Sequence, residues 1–99
     1  MKTKIQSIHF NADKKLVAFI EEKIEKLITL SDAIIGSEVY LKLENKNSED
    51  NKMVEIKILI RGNDLFVKKN ATSFEDATDQ AIDALKKQIQ KHKEKTKRL

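Results

Sequence analysis

The chain has 99 residues, enough for one hydrophobic core and too few for two, so a single domain spanning 1–99 is expected. Hydrophobic residues make up 39% and charged residues 36%, with 20 Lys and Arg against 16 acids and a net charge of +4. The absence of Cys excludes disulfides, thiolate metal sites and cysteine nucleophiles, and no apolar run is long enough for a signal peptide or membrane span; a cytoplasmic location is expected.

Thr3 to Phe10 carries the β-branched and apolar content of a strand, but its alternation is imperfect, which suggests a bulge. The period then changes. Leu16, Phe19, Ile20, Ile24, Leu27 and Ile28 recur at helical spacing, with charged residues on the other faces. The spacing predicts a helix of about four turns from Leu16 to Leu30, capped by Asn11 or Asp13 and ended at Ser31-Asp32. Clean period-2 patterns follow. Val39, Leu41 and Leu43 alternate with polar residues in 37–44, and Val54, Ile56, Ile58 and Ile60 do so in 52–61. The polar segment Asn45–Asn51 separates them. Gly62-Asn63 reads as a two-residue hairpin turn into a third strand at Asp64–Val67, completing an antiparallel meander. Ser73 then caps a last helix, with Asp76 completing a capping box, and Phe74, Ala77, Ala81, Leu85 and Ile89 form its apolar stripe. The element order predicts an α+β fold, β-α-β-β-β-α, with two helices packed on one face of a four-stranded sheet.

Charge is unevenly placed along this last helix. Residues 86–99 hold seven bases (Lys86, Lys87, Lys91, Lys93, Lys95, Lys97, Arg98) and one acid, net +6, which leaves 13 bases and 15 acids, net −2, in the first 85. Its opening part carries Glu75, Asp76, Asp79 and Asp83 and no base. Acids at a helix start and bases at its end complement the macrodipole, but that accounts only for the first and last turns. With Leu85 as the core direction, Lys86 and Lys93 fall at about +80° to +100°, and Lys91 and Lys95 at about −80° to −120°. Both shoulders are therefore basic, an arrangement suited to a groove between two phosphate backbones. Only five aromatic residues are present, most of them assigned to the core, so recognition of structured RNA by shape and phosphate fits better than base stacking along a single strand.

Catalytic and metal-binding chemistry is poorly supplied. There are two His, no glycine-rich phosphate loop and no clustered His, Asp or Glu at ligand spacing; His9 reads as a surface or rim residue. A non-enzymatic protein without cofactor or metal is expected.

The run Phe74-Glu75-Asp76-Ala77-Thr78-Asp79-Gln80-Ala81-Ile82-Asp83-Ala84-Leu85-Lys86-Lys87-Gln88-Ile89-Gln90-Lys91-His92-Lys93-Glu94-Lys95 resembles the last helix of the ribosome hibernation promoting factors, the family of the ribosome-associated inhibitor protein Y. The family's core there reads approximately Ile-Asp-x-Leu-x-x-Gln-Leu-x-Lys-His-Lys, matched by Ile82, Asp83, Leu85, Gln88, Ile89, Lys91, His92 and Lys93. The helix 16–30 and the hairpin 54–67 are also similar to the family's, so the resemblance covers essentially the whole chain. The family's last helix often opens with an aromatic followed by Ala-Ala; Asp76-Ala77 stand there instead, with Phe74 as the substitute.

The resemblance implies a stress or stationary-phase factor that binds the small ribosomal subunit, and the whole ribosome, in the channel used by mRNA and tRNA anticodon ends, and so inhibits translation. It implies rRNA-facing roles for Lys86, Lys87, Lys91, His92, Lys93 and Lys95, with Lys23 and Lys26 of the first helix as companions. The chain resembles the short form, without the C-terminal dimerisation domain of long members, so ribosome dimers would need a separate dimerising factor. Two other readings stand beside it: a general structured-RNA-binding domain, and a protein-interaction module using the exposed sheet face, with Tyr40 and Phe66 as anchors.

Overall fold

A computed structural model describes the backbone of residues 2–8, 10–44 and 49–97, and the side chains of these except Lys2 and residues 94–97. The expectations for His9, for residues 45–48 of the polar loop, for the Lys95 side chain and for Arg98 lie outside the described residues. The elements are β1 (Lys2–Ile8), α1 (Lys14–Ile28), β2 (Ile34–Leu43), β3 (Lys52–Ile60), β4 (Leu65–Ala71) and α2 (Phe74–Lys97), the order that the sequence predicts. One four-stranded mixed sheet runs β1-β2-β3-β4. β2, β3 and β4 form the antiparallel meander, and β1 adds to β2 in parallel through the α1 crossover.

β1 ends at Ile8, short of Phe10, and it carries no bulge. Its register with β2 is continuous from Lys2 opposite Gly36 to Ile8 opposite Lys42. The broken alternation has another cause. Ile5, opposite Val39, faces the core, Ile8 falls on the other face, and Phe10 reaches the core from beyond the strand by stacking on Phe74 at 5.1 Å between ring centroids. The register irregularity lies instead in β2, between Ile34 and Gly36.

α1 begins two residues earlier than the apolar spacing suggests, because the Asp13 carboxylate accepts from the Lys15 amide at 3.3 Å and starts the helix at Lys14. Its stripe Ile20, Ile24 and Leu27 is fully buried. The hairpin turn spans four residues, Arg61 to Asp64, rather than two. The Asn63 amide donates to the Ile60 carbonyl at 3.2 Å, and Gly62 has φ +86° at the third position, where a type II turn needs positive φ. No atom would touch a Cβ at Gly62, so conformation alone sets the cost of adding one. Gly62→Ala therefore lowers stability by about 1 kcal/mol, read as a lower urea midpoint with unchanged slope.

α2 starts as the sequence predicts: Ser73 Oγ accepts from the Asp76 amide at 3.0 Å. Ala77, Ala81, Leu85 and Ile89 are buried against β3 and β4, and from residue 90 to 93 no side chain is buried. The two helices share one sheet face, run side by side in the same direction, and pack on each other and on Val39, Leu41, Val54, Ile56, Ile58, Leu65 and Val67. α1 is about 22 Å long and α2 about 36 Å, so α2 reaches well past the end of α1.

The opposite sheet face is wet and alternately charged. Glu38 pairs in register with Lys4 and Lys57, and Glu55 with Lys68. Tyr40 donates its hydroxyl to Glu38 at 2.8 Å, a bond that raises its pKa and keeps the phenol neutral. Met53 departs from the pattern: its parity points outward, yet it is buried, in register with Asn70, whose amide donates to the Glu44 carboxylate. Phe66 remains 55% exposed.

Candidate nucleic-acid interface

Three recesses follow one another around α2 between Asp79 and His92, and each is set by a different neighbour. On the α1 side, a groove of about 430 Å³ is lined by Lys23, Lys26, Asp79, Ile82, Asp83 and Lys86. On the outer face of α2, an open shelf of about 470 Å³ is lined by Lys86, Lys87, Gln90 and Lys91. On the hairpin side, a smaller recess of about 200 Å³ lies between α2 and the β3–β4 turn, lined by Asn63, Leu65, Gln88, Lys91 and His92. Lys86 belongs to the first two and Lys91 to the last two, so the recesses form one continuous band. The helical wheel places bases on both shoulders of this helix. The tertiary structure supplies what each shoulder faces: α1 on one flank and the hairpin on the other.

Of the residues singled out in the sequence, Lys86, Lys87, Lys91 and Lys93 are exposed and His92 is half-buried. Lys93 lies on the same helix without lining any of the three recesses. Lys23 and Lys26 join Lys86 in the groove, but both also have partners within the chain. Lys23 Nζ is 3.5 Å from Asp79 and lies 5.4 Å over the Phe19 ring, and Lys26 Nζ is 3.4 Å from Glu22. These pairs are solvent-exposed, each worth at most about 1 kcal/mol, so an incoming phosphate competes with them at little cost. Asp79 and Asp83 share the groove with its lysines, whereas the shelf is lined by Lys and Gln alone.

Asn63, Gln88 and Arg61 were not indicated by the charge pattern. Asn63 and Gln88 are uncharged, and only folding brings the hairpin turn to the side of α2. Gln88 is tied there by its amide, which donates to the Phe66 carbonyl at 3.4 Å. Arg61 is exposed in the same turn, its backbone amide donating to the Ala33 carbonyl at 3.2 Å. A signal existed for Arg61: it is one of two Arg in the chain and stands beside the Gly62 of a turn.

Among the described residues, no three His, Cys, Asp or Glu side chains converge as metal ligands, and no helix is long and apolar enough to cross a membrane. What the band offers is a set of Lys point charges on a rigid helix, which suits phosphate oxygens without fixing one bidentate geometry.

Comparisons with known proteins agree with this architecture. The N-terminal domain of Protein Y from Thermus thermophilus superimposes with a TM-score of 0.75 at 22% identity, covering 92% of this chain and 94% of that one. A ribosomal subunit interface protein from Coxiella burnetii superimposes with a TM-score of 0.82 at 15% identity, covering 94% and 98%. At such identities the likeness is one of fold. A search of curated proteins finds no match. The sequence itself matches a family pattern from residue 3 to residue 97, and by that match the chain belongs to the family described as sigma 54 modulation protein / S30EA ribosomal protein.

Proposed function

We propose that this protein is a non-enzymatic factor that binds the small ribosomal subunit, occupies the channel where mRNA and tRNA anticodon ends lie, and so silences translation. The observation that carries the reading is the continuous band of Lys23, Lys26, Lys86, Lys87 and Lys91 around α2, with Lys93 and Lys95 further along the same helix. A helix about 36 Å long with bases on both flanks can neutralise two RNA backbones at once. Family membership and the likeness to a ribosomal subunit interface protein from Coxiella burnetii support a ribosomal partner. Whole ribosomes are bound through the same subunit, and a cytoplasmic setting follows.

A reconstituted translation reaction on a defined mRNA tests this. Protein added in stoichiometric amount to ribosomes stops initiation, and small subunits preloaded with mRNA and initiator tRNA resist it. A simple RNA duplex competes poorly with subunits. Inhibition indifferent to preloading contradicts occupancy of the channel, and strong competition by the duplex favours a general RNA binder.

A further inference from the structure

The recess between the β3–β4 turn and α2 differs from the rest of the band. The groove and shelf are lined largely by charge, whereas this recess has an apolar floor, Leu65, which is only 8% exposed. Two side-chain amides, Asn63 and Gln88, stand on its walls, and the imidazole of His92 and the ammonium of Lys91 complete it. At about 200 Å³ it lies below the roughly 300–1,000 Å³ of sites for larger ligands, the scale of a single heterocycle.

We propose that this recess receives one unpaired RNA base, turned out of its stack and read by the amides of Asn63 and Gln88. The inference rests on the ribosome-binding reading and adds a base-recognition site to it. An amide carries both donors and an acceptor, the complement of a Watson–Crick edge, whereas the lysines of the band can only donate. The bond from Gln88 to the Phe66 carbonyl fixes the plane of that amide while leaving its carbonyl oxygen and second N–H to pair. Leu65 and the His92 ring supply faces on which a heterocycle packs, and Lys91 stands where the base's own phosphate would follow. Unstacked bases are the features of folded RNA that proteins read by sequence, so this site would fix register where the lysines fix only position.

The contacts are uncharged, which makes the proposal separable from phosphate binding. The Asn63→Ala, Gln88→Ala double variant weakens small-subunit binding by about 10- to 100-fold, with the slope of log affinity against log salt unchanged. Lys91→Ala instead lowers that slope by about 1. Both amides lie outside the core, so circular dichroism melts stay close to wild type; Gln88→Met, which keeps helix propensity and length, is the second variant and weakens binding likewise. Base-specific chemical probing of small subunits saturated with protein shows one unpaired base whose Watson–Crick edge is protected by wild type and re-exposed with the double variant. Unchanged affinity, an altered salt slope, or identical protection by both proteins overturns the base site while wild-type binding leaves the ribosomal reading standing. Failure of wild type to bind small subunits overturns both.

Discussion

Exchanging Lys86, Lys87, Lys91 and Lys93 for Glu lowers affinity for small subunits by about 10³-fold or more at 100 mM salt. All four side chains are exposed, and three of them line the recesses around α2, Lys86 and Lys91 each shared by two. The exchange removes four of about six phosphate contacts and sets four repulsive charges where they stood. The fold survives, because Lys and Glu have similar helix propensities and none of the four contributes to the core. Acids toward the C-terminal end of a helix cost about 0.3–1 kcal/mol each at most, so a small drop in melting temperature accompanies a large loss of binding. Co-sedimentation together with circular dichroism separates the two effects. A variant that still pellets with subunits would show that the basic half of α2 is only a solvated helix end.

The second large effect is on stability. Leu85→Ala costs about 3–4 kcal/mol and lowers the melting temperature by about 15 °C, whereas Lys86→Ala, one residue on, stays within about 0.5 kcal/mol. Leu85 is fully buried among Ala81, Ile82 and Ile89 on the stripe that holds α2 to β3 and β4. Its loss leaves a cavity that a rigid sheet on one side cannot fill. A small domain has about 5–15 kcal/mol in all, so this one truncation removes a large share of it. Thermal unfolding followed by circular dichroism checks both variants. Equal costs at 85 and 86 would contradict an α2 that turns Leu85 to the sheet and Lys86 to solvent.

The elements with strong periodicity were legible in the sequence. The stripe from Ala77 to Ile89 and the alternation from Val54 to Ile60 set the inward faces, because burial of one face is what selects such patterns. Ser73 marked the start of α2 by its capping chemistry. The parallel pairing of β1 was not legible: an edge strand reads alike in either direction, and its direction follows from the α1 crossover. The four-residue turn at Arg61–Asp64 was missed because Gly62-Asn63 suits a tighter hairpin equally well, and the closing bond from Asn63 to Ile60 is a matter of backbone geometry.

For the site, a helical wheel placed the bases on two shoulders of one helix, since that geometry needs only 100° per residue. It could not show that Lys23 and Lys26 come to Lys86 across a groove, or that Asp79 holds Lys23 there. Nor could it show Asn63 beside Gln88, residues 25 positions apart whose meeting depends on how the hairpin lies along α2.

Binding of the small ribosomal subunit through phosphate contacts made by the basic half of α2 is the core of the proposed function. Its most direct test is the affinity of wild type for purified small subunits across a salt series. With about six phosphates neutralised, affinity falls on the order of 10³-fold between 50 and 200 mM monovalent salt, a slope of about −5. An affinity that does not change over that range contradicts the account.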